Sequence, residues 1–94
     1  MNIRKIINDI VNQHSLKAQR SSYDRDVGVL AILKARETLL SIPDDADVNE
    51  YSEMVRKKME ELFNNYYDPE GEFTSGRSFI GSLMNDILVA LDGL

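Results

Sequence analysis

The sequence has no cysteine and no tryptophan, and it carries one histidine and two prolines. Without cysteine there can be no disulfide, thiolate metal site or cysteine nucleophile. With a single histidine the common zinc ligand sets are out of reach. No unbroken apolar run exceeds five residues, Val29–Leu33 being one, whereas a membrane-spanning helix needs about 20. Near the start, Asn8-Asp9 interrupts the isoleucines, so no signal-peptide core is expected. A concentrated basic patch is missing too. The densest stretch, Arg56-Lys57-Lys58, is flanked by acids, and nucleic-acid affinity comes from several cations neutralising phosphates. These absences predict a cytoplasmic domain with no cofactor, no bound metal, no membrane association and no nucleic-acid partner.

The 94 residues are 43% hydrophobic and 29% charged, which fits one small globular domain. The net charge of −5 is unevenly spread. Residues 1–43 hold seven Lys/Arg against four Asp/Glu, whereas residues 44–72 hold ten acids against three bases. The acidic stretch either stays hydrated beside its basic neighbour or presents a strip to a partner.

Apolar residues recur at helical spacing in four segments. Ile3, Ile6, Ile7, Ile10 and Val11 form one face of the first, His14 continues it, and Leu16 falls off it. Ser21 with Asp24 has capping-box spacing before the second segment. There Val27, Val29, Leu30, Ala31, Ile32 and Leu33 surround Gly28 and leave almost no polar side, the pattern of a buried helix, so this segment is expected to be the central helix, half enclosed at its N-terminal end. Ile42-Pro43 ends it, because the residue before proline is driven from the α region. Asp47 with Glu50 opens the third segment as a cap, and Val48, Tyr51, Val55, Met59, Leu62 and Tyr66 trace its stripe. Asp68-Pro69-Glu70-Gly71 reads as a turn. Phe79, Ile80, Leu83, Met84, Ile87, Leu88 and Leu91 give the last segment a broad core face. Gly28 and Gly81 lie inside helices, where glycine costs about 0.5–1 kcal/mol, so close helix contact is expected at both. The expected fold is all-α: a small antiparallel four-helix bundle, helices near 3–20, 23–42, 48–67 and 76–92, with a Gly/Ser-containing loop before the last. The isoleucine-rich first helix either closes the bundle or offers a dimer surface.

Few residues suggest chemistry. A catalytic histidine needs an orienting acid and a nucleophile. Asp9, Ser15, Asp24 and Asp26 are near His14 in sequence without triad spacing, so His14 is expected to be structural. Asp44, Asp45 and Asp47 lack the glycine and terminal glutamate of a calcium loop. The pair Glu60-Glu61 would need a second acidic pair on a later helix to hold a metal, and only Asp86 stands there, after Asn85. Thr74, Ser75, Gly76, Arg77 and Ser78 combine hydroxyls, glycine and arginine at a helix start, a weak phosphate-binding signal without P-loop spacing. Beside them Tyr66, Tyr67 and Phe73 could join Asp44, Asp45, Asp47 and Glu50 in a partner-binding surface, since aromatics with arginine favour interface centres. The leading expectation is a non-enzymatic, protein-binding adaptor, regulator or inhibitor whose partner is another protein or a second copy. The alternatives are a binder of a phosphate-containing ligand or nucleotide through Thr74–Ser78, and an acidic inhibitor imitating nucleic acid.

Overall fold

The computed structural model describes residues 2–21, 25–43, 45–66 and 75–93, Ser75 by its backbone alone. Asp24 of the expected Ser21–Asp24 capping box, the turn at 68–71, and Asp44, Tyr67, Phe73 and Thr74 lie outside the described residues. The chain is an all-α, small four-helix bundle: α1 (Ile3–Gln19), α2 (Arg25–Leu40), α3 (Val48–Asn65) and α4 (Ser75–Asp92). Among the described residues there is no strand.

Each helix follows from its sequence. Asn2 caps α1, its side-chain oxygen accepting from the Lys5 N–H at 3.2 Å. Ile3, Ile7, Val11, His14 and Ala18 are the buried face of α1. The isoleucines at 3 and 7 therefore close the bundle rather than forming a free apolar surface. Asp47 caps α3 by accepting from the Glu50 N–H at 2.8 Å, which places a carboxylate at the positive end of the helix dipole. Tyr51, Val55 and Met59 face inward from α3, as do Ile80, Leu83, Ile87 and Leu91 from α4.

Helix ends differ slightly from expectation. α2 stops at Leu40, and the Ser41 and Ile42 N–H groups turn back to the carbonyls three residues earlier, at 3.3 and 3.2 Å. This tightened turn releases Ile42 from the helix before Pro43, as proline sterics demand. α3 ends at Asn65 because Tyr66 takes an extended backbone, φ −79° and ψ 131°. Ser75 to Ser78 are already the first turn of α4.

α2 and α4 each pack against all three other helices, and α1 and α3 flank them. Gly28 and Gly81 explain this approach. A Cβ on Gly28 would lie 2.8 Å from the Phe79 ring of α4, and one on Gly81 would lie 2.9 Å from the Phe63 ring of α3. Such distances are far inside van der Waals contact, so each glycine is the seat for an aromatic ring from a neighbouring helix.

Residues 27–33 are half enclosed, as expected: Gly28, Ala31 and Ile32 are buried, whereas Leu30 and Leu33 are each 48% exposed. The bundle covers one side of α2 only. No described helix is long and apolar enough to cross a membrane.

Candidate functional site

The single histidine sits inside the bundle. His14 is 7% exposed and its Nε2 lies 2.6 Å from Oδ2 of Asp86 on α4, a residue itself open to solvent. Sequence reading looked for its partner among neighbours in the chain; the partner is 72 positions away. Burial of an imidazole requires a hydrogen-bond partner, and the pair links α1 to α4. His14 is thus packed at the end of the α1 apolar stripe. Among the described residues, no group of three histidine, aspartate or glutamate side chains could hold a metal ion.

Two arginines act in the same manner. Arg4 donates to the Ile42 carbonyl at 2.7 Å and lies over the Tyr51 ring, 5.1 Å from its centroid. One guanidinium thus joins the start of α1, the α2–α3 junction and the start of α3. Arg77 donates from Nε to the Phe63 carbonyl at 2.8 Å, with its guanidinium 4.4 Å above the Phe63 ring. Phe63 is among the last four residues of α3, whose carbonyls have no partner within the helix, so Arg77 serves as a side-chain cap reaching across from α4. On the surface Arg36 bonds the Asn12 amide oxygen at 2.8 Å, and Arg56 pairs with Asp92.

The described residues among those singled out in the sequence sit on different elements. Ser75, Gly76, Arg77 and Ser78 lie in the opening turn of α4; Gly76 is buried, Ser78 is exposed and Arg77 bonds α3. Tyr66 is half-buried against the core. Asp45 and Glu50 are exposed, while Asp47 acts as the α3 cap.

What the sequence reading missed is a surface. Leu30 and Leu33, each 48% exposed, and Leu40, 61% exposed, stand on the side of α2 opposite its buried Gly28, Ala31, Ile32, Ala35 and Leu39. Half-buried Val29 borders them, and Glu37 interrupts the row. The spacing of three and seven residues was visible in the sequence; which side the other helices cover was not. At one end an open groove is lined by Gln19, Arg25, Asp26, Val29 and Leu30. Comparison with protein families, with curated proteins and with solved structures finds no match for this chain.

Proposed function

We propose that the chain is a non-enzymatic helical module that binds protein, and that the outer side of α2 is its docking surface. The observation that supports this reading is the row Leu30, Leu33 and Leu40, each about half exposed or more on one side of one helix. Single exposed leucines are ordinary, whereas an aligned row on a small domain is the kind of surface that partners cover. Amphipathic helix faces are recognised through anchors at such spacings. The side chains best suited to chemistry support the same reading from the other direction, because His14, Arg4 and Arg77 hold helices together.

Leu30→Lys and Leu33→Lys place charge on the row without touching the core. With the wild-type chain immobilised, a retained protein partner should be lost from the double variant while helicity is unchanged. Equal retention by both chains would refute α2 as the surface. In the cell a cytoplasmic location and a regulatory or adaptor role accord with this reading.

A further inference from the structure

We infer that the outer side of α2 docks on the same side of α2 in a second copy of this chain, the two helices running in opposite directions with Leu30 of one against Leu40 of the partner subunit. This inference rests on the protein-binding reading above and names the partner. Residues 27–33 are apolar around the whole helix, yet the chain covers only one side of them. A second copy supplies a matching apolar row, which a two-fold axis makes self-complementary.

Positions 26, 30, 33, 37 and 40 alternate by four and three, the spacing of helix–helix seams, and they hold Asp, Leu, Leu, Glu and Leu. The charges select the arrangement. A parallel pair would set Asp26 and Glu37 against their own copies. An antiparallel pair with Leu30 on the partner's Leu33 would set Asp26 against Glu37 of the partner subunit. Sliding by one heptad removes both conflicts for Glu37. Leu30 then meets the partner's Leu40, Leu33 lies on the stem of the partner's Glu37, and Lys34 stands beside that carboxylate. Symmetry repeats each contact, giving two Lys34–Glu37 pairs per dimer.

α1 extends the surface. Asn12 is bonded to Arg36, and Arg4 reaches Ile42, so advancing along α1 means retreating along α2. One turn on from the Asn12–Arg36 bond come Leu16, 52% exposed, and Leu33. The contact is one helix face with a margin from α1, smaller than an obligate interface, so the dimer should be reversible.

Sedimentation equilibrium of the full chain should show a monomer–dimer equilibrium that shifts on dilution. Leu33→Lys should leave only monomer with the circular dichroism spectrum unchanged. Lys34→Glu or Glu37→Lys alone should raise the dissociation constant about tenfold, since each opposes two charge pairs, and the double reversal should restore it. A chain that stays monomeric up to about 1 mM, a threshold near the weakest affinities treated as binding, would overturn the inference. So would a dimer indifferent to Leu33→Lys, or one that the double reversal fails to restore. A photo-crosslinking residue at position 33 in cells separates the two levels: a self-adduct supports the second copy. An adduct only with a different protein overturns the second copy and keeps the protein-binding reading. No adduct of either kind overturns both.

Discussion

Asp86 shows most plainly how a single side chain supports the core here. Its carboxylate, exposed on α4, meets the buried His14 ring at 2.6 Å. Removing it leaves an imidazole nitrogen deprived of that bond, and an unsatisfied buried polar group costs about 1–3 kcal/mol. Chemical denaturation should therefore show Asp86→Ala destabilised by about 1–2 kcal/mol. Adding His14→Leu should recover most of the loss, because replacing both partners by apolar groups is nearly neutral. An additive penalty in the double variant would show that the pair is not coupled. Arg77 combines a hydrogen bond with a ring contact of about 0.5–1 kcal/mol. Arg77→Ala should lose about 1–2 kcal/mol by the same measurement, and Arg77→Lys should not restore it, since an ammonium cannot lie flat on a ring while donating from Nε. His14 was legible as a packed residue from its place at the end of an apolar stripe. Its partner was not, because 72 positions of chain separate the two and no periodicity spans that gap.

Among the helices, the seats made by Gly28 and Gly81 determine how closely α4 approaches its neighbours. Glycine to alanine in an unencumbered helix gains about 1 kcal/mol. Here a methyl group would lie within 3 Å of a ring, and overpacking costs about 1–3 kcal/mol. Gly28→Ala and Gly81→Ala should each lower the thermal midpoint, with the Gly28 loss reduced when Phe79→Leu makes room. A rise in midpoint for either single variant would contradict close packing at that seat. Asp47→Ala should cost about 1 kcal/mol through loss of the α3 cap, read from the same melting curves. Much at this scale was legible: apolar stripes located all four helices, Asp47 marked a start, and helical glycines announced close contact. The aromatic partners of those glycines depend on helix order in space, which the chain's own spacing does not encode. Which side of α2 stays open was hidden for the same reason. Leu30 and Leu33 are as apolar as Ile32, and only the placement of α1, α3 and α4 decides which of them is covered.

For the molecule as a whole, the bundle measures 38 × 24 × 20 Å, and His14, Arg4 and Arg77 each link one element to another. Its acidic middle segment supplies a cap at Asp47 and solvent-exposed carboxylates at Asp45 and Glu50. Among the described residues, the exposed leucine row on α2 is a feature that packing within the chain does not cover. The most direct test is an amide correlation spectrum of the labelled chain recorded over a dilution series. The account predicts concentration-dependent shifts confined to the outer side of α2, around Leu30, Leu33, Lys34, Glu37 and Leu40, with Leu16 following. Shifts centred on Tyr66 and the start of α4, or a spectrum that dilution leaves unchanged, would contradict it.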